Sequence, residues 1–156
     1  MSDMEGNKRM KADVRIKKLR EGAHAPTYGS EFAAGCDLYA CIEAGEVTVN
    51  PGETLVIPTG WAFEIPDGFA GLIYARSGLA TKSGLAPANK VGVVDSDYRG
   101  EVCVALHNHS GEVRTVKHGD RVAQMVITPY LTATFMETDD LSDTSRGAGG
   151  FGSTGK

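Results

Sequence analysis

The sequence lacks any apolar run that approaches the roughly 18 residues of a membrane-spanning helix. Residues 1–18 are charged and contain no apolar h-region, so we expect neither a signal peptide nor a membrane partner. A surplus of positive charge is also missing, because the net charge is −4. This balance argues against a broad nucleic-acid-binding face, although a few arginines would suffice to bind a small anion.

Cysteine is scarce as well. The three cysteines, Cys36, Cys41 and Cys103, are odd in number and show no paired spacing typical of a metal site. We therefore expect reduced thiols in the core of a protein of the cytoplasm, or of the nucleus or an infected host cell if the source is eukaryotic or viral. The length of 156 residues and the 41% hydrophobic share indicate one globular domain with a core of ordinary size.

Helical patterns are nearly absent. Only Ser77–Ser83 looks helical, with Ser77 as the candidate N-cap and Gly84 directly after it. Elsewhere, turn signals recur every 8 to 12 residues or so, which is typical of an all-β sandwich or barrel. The segment 102–106 is apolar on both faces and is expected to run through the interior. The predicted strands are 14–19, 37–42, 47–49, 54–57, 61–65, 69–74, 91–94, 102–106, 113–116, 122–128 and 133–137.

The C-terminal run 146–155 cannot pack a core, because five of its ten residues are glycine. Its other residues include a guanidinium at Arg146, a ring at Phe151 and adjacent hydroxyls at Ser153 and Thr154. These groups suit phosphates and a flat ring, so the run reads either as a lid that orders on ligand binding or as a disordered linker.

Asp95 follows the apolar strand 91–94 directly. A carboxylate at the end of a buried strand is partly desolvated and so becomes a stronger general base. A structural alternative is a turn cap, although Asp97 fits that role better. Tyr98, beside the same turn, reads on its own as a half-buried packing residue.

Other polar residues stand where the β-pattern ends or should be apolar. Arg76 and Ser77 open the short helix and form either a phosphate cradle or a simple cap with a solvated arginine. Gln124 interrupts an apolar strand and Asp37 opens another, so each faces a site or the outer side of a sheet. His107 and His109 share a strand face, but no third metal ligand is suitably spaced.

Five segments, in order, resemble the trimeric deoxyuridine triphosphatase (dUTPase) family: 34–40, 75–80, 92–101, 119–124 and 146–155. Spacing and order match over nearly the whole chain. The resemblance implies an all-β, distorted jelly-roll-like barrel or sandwich with one short helix and a mobile Gly-rich arm. It implies a homotrimer with sites at the subunit interfaces. The expected divisions are a body at 1–136, an acidic linker at 137–145 and a lid at 146–156.

The activity implied by this resemblance is hydrolysis of dUTP to dUMP and pyrophosphate with Mg²⁺, through attack of water on the α-phosphorus. Such a reaction lowers dUTP and supplies dUMP for thymidylate synthesis. Two alternatives remain: a relative of dCTP deaminase, which shares the fold, and a nucleotide-binding trimer without turnover. The Gly-rich tail argues against the first, and the full set of matching catalytic residues argues against the second.

The resemblance also assigns roles by position. Asp95 matches the residue that activates water, Tyr98 the ring that excludes a 2′-hydroxyl, and Asn89 the amide that reads uracil. Asp37 resembles a carboxylate linked to Mg²⁺ through water. Other substrate contacts fall on Arg76, Ser77, Gly78, Val94, Gln124, Arg146, Phe151, Gly152, Ser153 and Thr154, with Arg146 on the γ-phosphate and Phe151 over uracil. Ala75 departs from the proline common in relatives, which predicts a less rigid turn there.

Overall fold

A computed structural model of the chain describes residues 10–150, which form eleven β-strands and one short helix. Within this part of the chain, no helix is long and apolar enough to cross a bilayer. The elements are β1 (Arg15–Lys18), β2 (Thr27–Tyr28), β3 (Cys36–Tyr39), β4 (Glu46–Val49), β5 (Thr54–Glu64), β6 (Phe69–Tyr74), α1 (Ser77–Ser83), β7 (Leu85–Pro87), β8 (Gly92–Val94), β9 (Glu101–Asn108), β10 (Arg114–Lys117) and β11 (Arg121–Pro129).

The strands form three antiparallel sheets. One sheet has the order β1-β5-β9-β7, a second has the order β2-β3-β11-β6-β8, and β10 pairs with β4 in the third. The many non-consecutive neighbours show that the chain crosses repeatedly between sheets, as in a jelly roll. The predicted all-β class is therefore confirmed.

The core lies between the sheets and is built from alternate residues of the long strands. In β9, Val102, Val104 and Leu106 are buried, whereas Cys103 and Ala105 on the other face are only half-buried. The segment 102–106, expected to run through the interior, therefore buries one face fully and the other only in part. This strand packs one face on the core, as antiparallel strands commonly do.

Several predicted elements agree with the structure residue by residue, including the helix Ser77–Ser83 and the strand Phe69–Tyr74. The predicted strands 54–57 and 61–65 are instead one strand, β5. Gly60, at φ +80°, lies where the register against β9 shifts between Pro58 and Ala62. A bulge thus carries the strand through residues that look like a turn.

The predicted strand 133–137 is absent, and its side chains are exposed, with Phe135 at 94% and Met136 at 84%. A strand needs a partner to satisfy its backbone groups, and no segment within 10–150 pairs with it. The two short strands β2 and β7 were not predicted, because two or three residues carry no readable alternation.

The three cysteines are free, with Cys36 and Cys41 buried and Cys103 half-buried. Burial raises the pKa of each thiol, so all three are held as the weakly reactive protonated form at neutral pH. This agrees with the expectation of reduced thiols that pack rather than react.

Candidate active site

The central strand β11 aligns two of the predicted polar residues. Gln124 is in register with Asp37 of β3 on one side and with Tyr74, the last residue of β6, on the other. Arg76 follows Tyr74 by two residues, so three segments that are distant in sequence end at one edge of the sheet. Asp37, Arg76, Arg121 and Gln124 are called the polar corner below.

Asp37 joins two guanidinium groups in the polar corner. Its Oδ1 accepts a hydrogen bond from Nε of Arg76 at 2.8 Å, and its Oδ2 accepts one from Arg121 at 3.4 Å. The side chain of Asp37 is 13% exposed and that of Arg76 is 26% exposed, so this pair is the better shielded of the two. No sequence pattern links Arg121 to Asp37, because the two residues meet only through the pairing of β3 with β11.

Gln124 fixes the chain just before Arg76. Its Nε2 donates to the carbonyl of Ala75 at 2.9 Å. The amide lies against Gly35, where an added β-carbon would stand 2.8 Å from Oε1 of Gln124. The Gln124 bond thus gives the turn at Ala75 a restraint that the missing proline would otherwise supply.

Helix α1 begins one residue earlier than the cap prediction required. The N-cap is Arg76, with φ −87° and ψ 127°, and no side chain caps the first turn. The prediction of Ser77 as N-cap is therefore wrong, and Ser77 and Gly78 are exposed first-turn residues beside the polar corner. Because its first N–H groups lack a side-chain cap, this end of α1 has donors free for an anion.

A basic cleft adjoins the polar corner. Its volume is about 360 Å³, and its lining includes Arg76, Arg114 and Arg121 together with Asp120. A larger cavity of about 730 Å³ lies elsewhere in the fold, and the apolar side chain of Phe63 forms part of its lining. That cavity holds none of the predicted site residues, whereas the smaller cleft offers the positive charge that a phosphate chain requires.

A second group of predicted residues lies along β7, β8 and the loop that follows. Asn89 is exposed at the turn between these strands, where Lys90 adopts φ 56° and the Val91 N–H donates to the Asn89 carbonyl at 2.6 Å. Val94, at the end of β8, is buried against the core. Asn89 therefore lies on a tight turn, and the strand that follows this turn is anchored in the core by Val94.

The loop 95–100 folds back on itself. The N–H of Tyr98 donates to the Asp95 carbonyl at 3.2 Å. Arg99 donates to the carbonyl groups of Ser96 at 2.6 Å and Tyr98 at 3.2 Å. The Tyr98 hydroxyl donates to the Glu101 carbonyl at 3.0 Å, and the side chain remains 45% exposed.

Asp95 itself is exposed in the single chain. The expected desolvation at the end of a buried strand is therefore wrong for the single chain. The reason is that β8 lies at the edge of its sheet, where even Val93 is 60% exposed. A second molecule packed on this edge would remove water from Asp95.

The structure does not bring the two groups together within one chain. In the β6–β8 pair, Gly71 is opposite Val94 and Ile73 is opposite Gly92. Asp95 therefore lies at the start of β6 and Arg76 beyond its end, at least about 13 Å away at 3.3 Å per residue.

The C-terminal residues are described only in part. Arg146 is exposed, and its Nε donates to the Gly149 carbonyl at 2.8 Å. The segment 137–145 is exposed throughout and forms neither helix nor strand. Phe151, Gly152, Ser153 and Thr154, which were predicted to contact the substrate, lie outside the described residues.

The residues present fit a magnesium ion held largely by its substrate. Within 10–150, no three His, Cys, Asp or Glu side chains gather as a metal cage. The polar corner offers one carboxylate, and both oxygens of Asp37 already accept hydrogen bonds from arginines. Mg²⁺ is commonly bound by one or two carboxylates plus phosphates and water, so a water-mediated contact to Asp37 remains compatible. The rings of His107 and His109 meet edge to face at 4.4 Å between centroids, and no third ligand within 10–150 joins them.

Comparison with known proteins gives a consistent result. The dUTPase family profile matches residues 21–155. The chain is 51% identical over 143 residues to the deoxyuridine 5'-triphosphate nucleotidohydrolase of Nautilia profundicola, covering 92% of this chain and 99% of that protein. It is 53% identical over 147 residues to the protein of the same name from Desulfitobacterium hafniense (strain DSM 10664 / DCB-2), covering 94% and 97%.

Solved structures agree. A mutant of the Staphylococcus bacteriophage 80alpha dUTPase with dUpNHpp has a TM-score of 0.83 at 26% identity, covering 92% of this chain and 99% of that chain. A mutant dUTPase of phage phi11 of S. aureus, described with a structural Mg(II) ion, has a TM-score of 0.73 at 26% identity, covering 82% and 97%. The polar corner, the loop 95–100 and these matches lead to one conclusion: the chain belongs to the dUTPase family.

Proposed function

We propose that this protein hydrolyses dUTP to dUMP and pyrophosphate. The observation that carries the proposal is the polar corner, where residues from three separated segments converge beside a basic cleft. The names of its relatives, at about half identity over nearly the whole chain, support the same reaction. A role in lowering dUTP and supplying dUMP for thymidylate synthesis follows from that chemistry.

The active unit is a homotrimer with composite sites. Support comes from the register of β6 and β8, which keeps Asp95 and Arg76 of one chain at opposite ends of a strand. A water-activating carboxylate must lie within reach of the phosphates it serves. Asp95 of one subunit therefore acts beside the polar corner of another, and the neighbour supplies the burial that Asp95 lacks alone.

In the chemical step, Asp95 orients and polarises a water in line with the pyrophosphate that leaves the α-phosphorus. Phosphoryl transfer depends mainly on positioning and charge neutralisation. Arg76, with Ser77 and Gly78, contacts the phosphates, while Asp37 and Gln124 hold that turn in place. Mg²⁺, when bound, neutralises phosphate charge. Asp37 would contact the ion through water.

Base and sugar are read by the β7–β8 turn and the loop after it. Asn89 pairs with uracil, and such polar recognition discriminates strongly because a wrong base leaves buried groups unpaired. Tyr98 packs under the deoxyribose and excludes a 2′-hydroxyl. Val94 adds to the same side of the nucleoside site. The body 1–136 carries all of these residues.

The segment 146–156 serves as the lid, and 137–145 is its linker. Arg146 clamps the γ-phosphate, Phe151 covers uracil, and Gly152, Ser153 and Thr154 donate to phosphates. The exposure of 137–145 supports a tether that is free to reach a site. Closure of such a lid excludes water and completes the site. We place the reaction in the cytoplasm, in keeping with three free thiols.

The test is pyrophosphate release from dUTP, dTTP, dCTP and UTP, with ammonia release from dCTP measured in parallel. We expect turnover of dUTP alone. Asp95→Asn should abolish turnover and leave dUTP affinity largely intact, while Asp97→Asn, in the same loop, should behave like the parent. Ammonia release from dCTP would indicate a deaminase instead, and dUTP binding without hydrolysis would indicate a non-catalytic trimer.

A further inference from the structure

The ring of Tyr98 lies directly on Gly100. A β-carbon at position 100 would stand 2.6 Å from Cζ and 3.0 Å from Cε2 of Tyr98, and closer still to the hydroxyl oxygen. These separations are far below van der Waals contact. No side chain larger than hydrogen therefore fits at position 100 while the ring keeps its place.

The backbone gives Gly100 no separate reason to be glycine. Its φ is not in the left-handed region, unlike that of Gly60 at +80° or Gly119 at +82°. An alanine at position 100 would meet no conformational strain of the kind that positive φ imposes. The three heavy atoms nearest to an added methyl group, outside the neighbouring residues, all belong to the Tyr98 side chain.

The hydroxyl end of the ring is tied to a rigid point. It donates to the carbonyl of Glu101, whose side chain binds Arg20 at 2.7 and 2.9 Å and the Gly60 N–H at 2.8 Å. The ring is thus held by a hydrogen bond at its tip and by contact with Gly100 along its edge. The exposed part of the ring is the surface left for a ligand.

We propose that Gly100 is a specificity-determining residue, because it fixes the Tyr98 ring at the depth that excludes a ribose 2′-hydroxyl. This inference rests on the proposed function. A methyl at position 100 displaces the ring and breaks the bond to Glu101. The displaced ring no longer forms a fixed wall under the sugar, so the site loses its discrimination between dUTP and UTP. Because the obstacle is a movable side chain, the fold is retained.

Two other side chains assigned to the site, those of Asn89 and Gln124, also lie against a glycine. A β-carbon at Gly92 would stand 3.1 Å from Nδ2 of Asn89, and one at Gly35 would stand 2.8 Å from Oε1 of Gln124. Gly92 also faces Ile73 of the core at 3.2 Å, so Gly100 offers the cleaner test.

The experiment compares kcat/KM for dUTP and UTP in the parent, in Gly100→Ala and in the control Gly111→Ala. Gly111 has no heavy atom within 4 Å of an added β-carbon and no positive φ. We expect the dUTP-to-UTP ratio to fall by about tenfold or more in Gly100→Ala, the scale of one misplaced methyl in a pocket. Gly111→Ala should keep the parent ratio.

A double-mutant cycle links the effect to the ring. In a Tyr98→Ala background, Gly100→Ala should cause no further change in the ratio, because the group that the methyl displaces is gone. An unchanged ratio in Gly100→Ala, or an equal fall with and without Tyr98, would overturn the inference. If Gly100→Ala fails to fold in thermal melts, Tyr98→Phe replaces it. Loss of the hydroxyl should lower the ratio, and an unchanged ratio would again overturn the inference.

The outcomes separate the two proposals. A parent that releases no pyrophosphate from dUTP refutes the proposed function and the inference with it. A parent that hydrolyses dUTP selectively, with Gly100→Ala indistinguishable from Gly111→Ala, refutes only the inference.

Discussion

Replacing Asp37 by asparagine removes the charge at the centre of the polar corner while keeping its shape. An asparagine oxygen can still accept from Arg76, but its NH₂ would face the guanidinium of Arg121 as donor against donor. Hydrogen bonds to charged groups are worth about 1.5–3 kcal/mol. The Arg121 side chain is 51% exposed, so its contact with Asp37 contributes little to the free energy of unfolding. We therefore expect the free energy of unfolding to fall by about 1–2 kcal/mol.

For a chain of this length, that loss lowers Tm by about 3–6 °C in calorimetry. The bond from Arg76 to a neutral amide oxygen is weaker than its bond to the carboxylate, so Arg76 is held less firmly toward the phosphates. KM for dUTP should therefore rise by about tenfold, equivalent to about 1.4 kcal/mol. The assay is pyrophosphate release over a Mg²⁺ titration, since a role in orienting Arg76 predicts a KM defect that added Mg²⁺ does not repair.

The control is Arg121→Gln, which removes only the exposed 3.4 Å contact and should change stability by less than about 0.5 kcal/mol. Two results would refute the reasoning. One is an Asp37→Asn protein with the KM and Tm of the parent. The other is full recovery at high Mg²⁺, which would show that the effect of Asp37 comes from its water-mediated contact to Mg²⁺ and not from its bond to Arg76.

Three further predictions concern other parts of the chain. The hydrogen bond from Arg20 holds the pKa of Glu101 below its ordinary value near 4.5, so the stability it contributes is present above that value and lost as pH falls through the lower folded-state pKa. Glu101→Gln should therefore melt below the parent at neutral pH, with a gap that closes in acid; a gap constant with pH would contradict this. Truncation before Arg146 should leave Tm unchanged and lower kcat by about 100-fold. Full activity of the truncated protein would show that the tail is only a linker. Gly35→Ala should push on the Gln124 amide and raise KM for dUTP by about tenfold, as measured by steady-state kinetics, and an unchanged KM would argue against that contact.

Sequence patterns singled out Asp37 and Gln124, because a carboxylate and an amide stand out chemically in apolar strands. Asp37 and Gln124 interrupt apolar strands, and the structure places them in register on neighbouring strands. The bounds of the helix Ser77–Ser83 were also predicted, because the glycine that follows it adopts the left-handed conformation that ends a helix. Local chemistry was sufficient in these cases.

Features that depend on sheet order could not be predicted. The exposure of Asp95 follows from the edge position of β8, which only the full topology reveals. The role of Arg121 depends on the pairing of β3 with β11. Gly100 carries no functional group, so nothing but the position of the Tyr98 ring distinguishes it from a turn glycine.

The separation of Asp95 and Arg76 along β6 has a genetic consequence. Two alleles, one encoding Asp95→Asn and the other Arg76→Ala, should each be null when expressed alone. Expressed in one cell, they would assemble mixed oligomers in which an intact Asp95 from one polypeptide meets an intact Arg76 from another. Such a heterozygote would regain part of its dUTP-hydrolysing capacity, so loss-of-function alleles at these two positions should complement each other, while two alleles at the same position should not.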